Sequence, residues 1–331
     1  MTSIRISLCN IAILAVFTLL GGCGGGSGGT ASIAYTGSTT PAVLTQSNGG
    51  DMVSGAYLGG NSSVVIGGVT AGLTNNDSTI EYPRSLVLSR ALTQVVLQSG
   101  INDALPSNGA AATVTNIDVT AINGTCGGSA TISGSYNDIS GDLSLNANFN
   151  GYCEGGTTLN GAISLSGNAI ATSSSLNITT FTITLSNLSA SHGGDSFSSS
   201  GTMTITPQTG YTYLDNNIVL TVNMLFKDNV SNKVYKLENY AMSVSSTLSY
   251  DDIDISGRYY DPDYGYIDIS TPTTLRVYLP DEWPSTGVIH ATGDNSSVTI
   301  TALSNTTYQL DVDIDNDNVS DYQETGMWAE L

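Results

Sequence analysis

The residues best placed to do chemistry lie between positions 313 and 324, Asp-Ile-Asp-Asn-Asp-Asn-Val-Ser-Asp-Tyr-Gln-Glu. Asp313, Asp315 and Asp317 alternate along this segment, so a tight turn gathers their carboxylates. Carboxylates that close repel one another until a proton or a cation intervenes. A hard divalent cation is the natural counter-charge, because it takes six to eight oxygens converging on one point. The plainer reading is an acidic turn whose charge serves solubility. Catalytic patterns are thin by comparison. The chain has two histidines, His192 and His290, and both read as turn residues. No GxSxG elbow, HExxH helix or thiol–histidine pair occurs. His290 with Ser285 and Asp294 is the proximity that chance supplies. A carboxylate pair for glycoside hydrolysis leaves no local signature, so a hydrolase survives as an alternative without a residue to carry it.

The acidic segment resembles the calcium loops of EF-hands, dockerins and thrombospondin type 3 repeats. Carried over position by position, the resemblance implies calcium held by Asp313, Asp315, Asp317, the Val319 carbonyl, Asp321 and Glu324. The departure is Asn318, where those families place Gly. Asn is the residue that best tolerates the left-handed conformation after Gly. The preceding stretch TTYQLDVDI reads as a strand, so the implied site sits at a hairpin tip built mainly on Asp313, Asp315 and Asp317. Its role would be structural, since no nucleophile or base lies near.

A second constellation spans residues 250–266, where Tyr250, Tyr259, Tyr260, Tyr264 and Tyr266 alternate with Asp251, Asp252, Asp254, Asp261 and Asp263. Rigid rings could form a platform for glycan or peptide. The bland reading is a turn at Asp261-Pro262-Asp263 between two Tyr-rich strands.

Cysteine positions say where such a protein works. Behind Arg5, residues 11–20 (IAILAVFTLL) form an apolar run too short to span a bilayer. Leu20-Gly21-Gly22-Cys23 and a Gly-rich tether follow. This resembles a lipobox, the end of a bacterial lipoprotein signal peptide, which implies removal of residues 1–22, acyl chains such as palmitate on Cys23, and a flexible tether over 23–34. Gly24 in place of Asp points to outer-membrane sorting. Cys126 and Cys153 remain for one disulfide in an oxidising compartment. Residues 128–137 and 141–150 alternate as strands around a turn at Asp138-Ile139-Ser140. A hairpin centred there pairs position i with 279 − i, which sets Cys126 opposite Cys153.

Composition limits the partners. Loss of the signal peptide removes one of 8 basic residues and none of 28 acidic ones, leaving 7 against 28, a formal charge of −21. Phosphate backbones repel such a chain, which excludes nucleic acid. The membrane is reached through the lipid, and an envelope protein, a glycan or a lipid is the expected partner.

These residues must be positioned by strands. Residues 35–110 read as mixed, with a helix over 84–99 flanked by Pro83 and Gly100 and a weaker one near 49–58. From 111 to 331 the period is two, with runs at 112–121, 158–168, 175–187, 198–206, 216–227, 232–238, 240–249, 264–270, 273–279, 296–303 and 306–312. Short polar turns predict an antiparallel meander forming a large curved sheet or open barrel, covered by one N-terminal helix and continuous with 35–110 as one domain. Scattered stretches, including Tyr35-Thr36-Gly37 and SGRYYDPDYGYIDISTPTTL at 256–275, resemble uncharacterised proteobacterial lipoproteins with β-rich mature domains. That resemblance implies location and architecture without chemistry. The function expected is therefore a lipid-anchored, non-enzymatic envelope protein with a structural or binding role. The alternative is a carrier holding a lipid or other apolar ligand between the helix and the concave sheet.

Overall fold

A computed structural model describes residues 32–70, 114–137, 139–171, 176–207 and 216–331. Among the described residues, one antiparallel sheet of 14 strands runs in strict chain order. Its strands are β1 (Val114–Asn123), β2 (Gly127–Asn137), β3 (Asp142–Glu154), β4 (Thr157–Ala171), β5 (Leu176–His192), β6 (Asp195–Pro207) and β7 (Asn216–Asp228). They continue as β8 (Val234–Ser246), β9 (Tyr250–Asp261), β10 (Gly265–Tyr278), β11 (Thr286–Thr292), β12 (Ser297–Ala302), β13 (Thr307–Asp313) and β14 (Tyr322–Met327). β1 and β14 stand at the two ends, so the sheet is open. The expected mainly-β meander with an N-terminal helical cover is the fold observed.

Alternation builds the core. Ile163 and Leu165 on β4, Ile183 and Leu185 on β5, and Leu220 and Val222 on β7 all point to one face and are buried. The opposite face carries Ser164, Thr184, Thr202 and Asn223 in one cross-strand row. Helix α1 (Gly49–Thr70) lies on the buried face. Its Met52, Val53, Ala56 and Tyr57 are buried at helical spacing. At the entry, Asn48 Oδ1 accepts the Thr45 N–H (2.8 Å) and its amide donates to the Val43 carbonyl (3.0 Å). The helix is rich in Gly, which costs about 1 kcal/mol per residue against Ala, so its stability must come from the sheet. Gly60 shows how: a Cβ there would lie 2.5 Å from Tyr240 Oη. That hydroxyl donates to the Ala56 carbonyl at 2.9 Å. The helix expected over 84–99 lies outside the described residues. The cover seen is the segment that the sequence marked more weakly.

The strand readings need four corrections. Residues 232–238 and 240–249 are one strand, β8, interrupted by Asn239 at φ 46°. Residues 264–270 and 273–279 are likewise one strand, β10, with its register shifting around Pro272. β11 and β14 have no counterpart among the alternating runs of the sequence. β14 (YQETGM) has no apolar alternation because it pairs only with β13 and lies largely exposed at the sheet edge. β11 hides its alternation behind His290, which lies inside the strand and not in a turn.

β-Bulges recur toward the same strand ends, at or opposite Gly151, Gly161, Asn187, Asn223 with Asn239, and Gly257, while the β6–β7 pairing keeps a continuous register. Two groups of bulges thus flank β6–β7. Bulges bend a strand and raise its twist, and aligned bulges bend a whole sheet. Gly257 at φ 137° shows the crowding there, since a Cβ would come within 2.5 Å of Tyr240 Cα.

Candidate metal centre

β13 ends on Asp313, which is 8% exposed, and the chain turns through residues 314–321 before β14 brings it back. The loop winds around that one carboxylate. Asp313 Oδ1 accepts N–H bonds from Asp315 (3.3 Å), Asn316 (2.6 Å) and Asp317 (3.3 Å), and Oδ2 accepts one from Asn318 (2.8 Å). Asn316 and Asn318 take φ 58° and 68°. The Gly position of the calcium-loop families is thus filled here by an Asn in the left-handed conformation that the loop requires. Asp317 Oδ1 accepts from Val319 N–H at 2.8 Å, and Asp321 Oδ2 accepts from Ile314 N–H at 2.9 Å. Asn295, from the β11–β12 turn, donates to the Asp315 carbonyl at 3.0 Å and ties the loop to the neighbouring hairpin.

One carboxylate oxygen from each of Asp313, Asp315 and Asp317 lies within 4.8 Å of the others. Desolvation pushes the Asp313 carboxyl upward, but the four N–H bonds outweigh it and hold the group below its ordinary range. Asp315 is pushed the other way, first by the charge of Asp317, then by desolvation and by Asp321. One side of the loop is therefore compensated by backbone dipoles, while the other carries repulsion that a cation would relieve. Val319 has an exposed side chain at the loop tip. Glu324 lies in register opposite Leu310, three residues inward from Asp313 and so roughly 10 Å along the ladder. It accepts a 2.5 Å bond from Tyr322 Oη. Three of the six expected ligand positions converge, Asp321 and Val319 fold the loop, and Glu324 is placed apart.

No family model, curated protein or solved structure matches the chain.

Cys126 and Cys153 form the disulfide, with Cα atoms 5.0 Å apart. The 279 − i register holds from Ser129–Asn150 to Tyr136–Leu143. At Gly151 a bulge shifts it by one, so Gly127 is the residue facing Cys153. Cys126 still reaches its partner, and its N–H donates to the Cys153 carbonyl at 3.1 Å.

The tyrosine-rich segment is a hairpin of β9 and β10 with its turn at residues 262–264, as the bland reading has it. Three of its rings, Tyr250, Tyr260 and Tyr266, are covered by the protein's own cations. Arg258 lies 3.9 Å over Tyr266 and pairs with Asp268 through two bonds of 2.7 and 2.8 Å. Arg276 lies 3.9 Å over Tyr250 and pairs with Asp252 in the same way. Lys236 covers Tyr260 at 4.5 Å. His290 Nδ1 bonds Thr299 Oγ1 at 3.0 Å. Ser285 and Asp294 lie beyond opposite ends of β11, so neither joins His290 in a catalytic group.

Proposed function

We propose that this chain is a lipid-anchored protein of the bacterial cell envelope, on the outer membrane, with a structural or binding role. The observation that carries the reading is Leu20-Gly21-Gly22-Cys23 followed by the Gly-rich tether. The Cys126–Cys153 disulfide supports it, since such bonds persist in oxidising compartments. Acyl chains on Cys23 would hold the protein to the membrane, and the sheet would be the working part. Metabolic labelling with a fatty-acid analogue tests this: wild type takes up label and Cys23→Ser does not. Equal labelling of both would defeat the proposal.

Within this reading the Asp313–Asp317 loop takes calcium in a structural role, supported by the three converging carboxylates and the left-handed Asn318. The carrier alternative needs space between helix and sheet. Against it stands the close approach of α1 backbone to Tyr240 and Tyr259, where a Cβ on Gly55 would lie 2.4 Å from Tyr259 Oη. Native purification with mass spectrometry of bound lipids and metals separates the two, because a carrier copurifies with stoichiometric apolar ligand.

A further inference from the structure

The strands end on two rims. The near rim holds the turns at 155–156, 193–194, 229–233, 262–264, 293–296 and 314–321, and the far rim those at 139–141, 247–249, 279–285 and 303–306. Residues 32–44 form a strap that is seated at the near rim. Ile33 N–H donates to Asn187 Oδ1 at 3.2 Å, Tyr35 Oη to the Asp261 carbonyl at 2.9 Å, and Ser38 N–H to the Pro262 carbonyl at 3.2 Å. Tyr35 meets the ring of Tyr260 edge-on at 5.4 Å, on the face opposite α1. The strap then bonds beside β10, Ala42 N–H to the Tyr266 carbonyl (2.8 Å) and Tyr266 N–H to the Thr40 carbonyl (3.0 Å). Asp294 N–H closes its other side on the Ala42 carbonyl at 2.7 Å. Leu44 is fully buried, so the chain passes between β10 and the β11–β12 turn from the outer face to the helix side. The site is moulded to it: a Cβ on Gly293 would lie 2.0 Å from the Ala42 carbonyl oxygen.

Ten Cα–Cα steps separate Cys23 from Ile33. Fully extended, they reach at most about 33–36 Å. From Asp261 to Tyr250 the 12 residues of β9 span roughly 37 Å. An orientation with the far rim on the bilayer would therefore need the tether drawn out to its full contour length, whereas the near rim leaves it slack. We propose that the near rim is the membrane-proximal face of this protein and that the bilayer surface is its immediate neighbour. The far rim, with exposed Ile139, Leu248, Leu279, Leu303 and Met327, points away from the membrane. This assignment rests on the lipid anchor at Cys23.

The test uses the full-length lipidated protein in phosphatidylethanolamine–phosphatidylglycerol vesicles that carry a headgroup energy-transfer acceptor. Donor dyes go on single added thiols, Ser231→Cys at the near rim and Ser249→Cys at the far rim, with Val319→Cys and Leu303→Cys as a second pair. The expected result is transfer severalfold stronger from both near-rim positions. Equal or reversed transfer in both pairs, with the protein floating with the vesicles, overturns the orientation alone. Protein that fails to float overturns the anchor itself, and with it the orientation.

Discussion

Asp313 satisfies four backbone N–H groups at once and still offers an oxygen to the space shared with Asp315 and Asp317. A cation binding there stabilises the folded state by RT ln(1 + [L]/Kd), about 2.7 kcal/mol at a hundredfold excess over Kd, or a few degrees in Tm. Melting curves in chelator and in millimolar calcium should differ by that amount. The Asp315→Asn, Asp317→Asn variant should lose most of the difference, and magnesium should substitute poorly because it demands tight octahedral geometry. The effect should also fade with acid. Asp315 has a raised folded-state pKa, so in the metal-free protein its proton is held more tightly than in the unfolded chain, and acid relieves its repulsion. Calcium must displace that proton, and its stabilisation should shrink as pH falls through the carboxylate range. Asp313 works in the opposite sense: its lowered pKa contributes stability above the ordinary carboxylate value, lost as pH falls through its own. A calcium shift of unchanged size from pH 7 to about pH 4 would return the loop to a solvated turn. Its cysteine counterpart is simpler. Removing the bridge with Cys126→Ser and Cys153→Ser together should cost about 3–4 kcal/mol by the chain-entropy account for a separation of 27 residues, measured by denaturant titration.

At the scale of elements, α1 explains why the cover was hard to read. Residues 84–99 have an apolar stripe, a proline at the start and a glycine after the end. α1 has glycines at 49, 50, 55, 59, 60, 67 and 68, and apolar residues distributed around its axis. Its helicity is imposed by the sheet, and Gly55 and Gly60 are contact points whose purpose appears only when Tyr259 and Tyr240 stand opposite. Gly60→Val should accordingly destabilise by overpacking, about 1–3 kcal/mol, although it raises intrinsic helix propensity. Tyr240→Phe, which leaves the ring in place and removes the hydroxyl bonded to Ala56, should cost about 1 kcal/mol. Thermal unfolding of the two variants ranks them, and a neutral Gly60→Val would mean that the helix does not press on Tyr240. The strands were more legible, because alternation such as Leu143, Leu145, Ala147, Phe149 reports burial directly. Breaks in register escaped: Asn239 splits one strand into two apparent runs, and nothing local distinguishes a bulge from a turn.

Over the whole molecule, 18 of the 28 acidic residues lie between positions 228 and 331. The described lysines and arginines also fall between Lys227 and Arg276, and four of the five are in ion pairs. Those pairs are partly exposed, worth about 0–1 kcal/mol each, and the stacking of Lys236, Arg258 and Arg276 on tyrosines fixes the outer surface of β8 to β10 more than it strengthens it. Charge count was readable from composition. Its distribution between the two rims was not, because that depends on which turns the meander brings to each side.

The C-terminal turn Trp328–Glu330 packs into the same region as α1. Trp283, from the β10–β11 connection, stacks on Trp328 with ring centres 5.7 Å apart and planes at 5°, and meets Tyr57 of α1 at 6.1 Å. Tyr308 of β13 closes the group against Trp328 at 5.0 Å. These are the two tryptophans of the chain. Their emission therefore samples a single spot where helix, sheet and C-terminus meet, and two parallel indoles at that distance share their excited states. Circular dichroism in the strong far-ultraviolet indole band should show a split tryptophan signal that Trp283→Phe abolishes, giving the protein an intrinsic optical gauge of whether the C-terminal turn is seated against the β10–β11 connection.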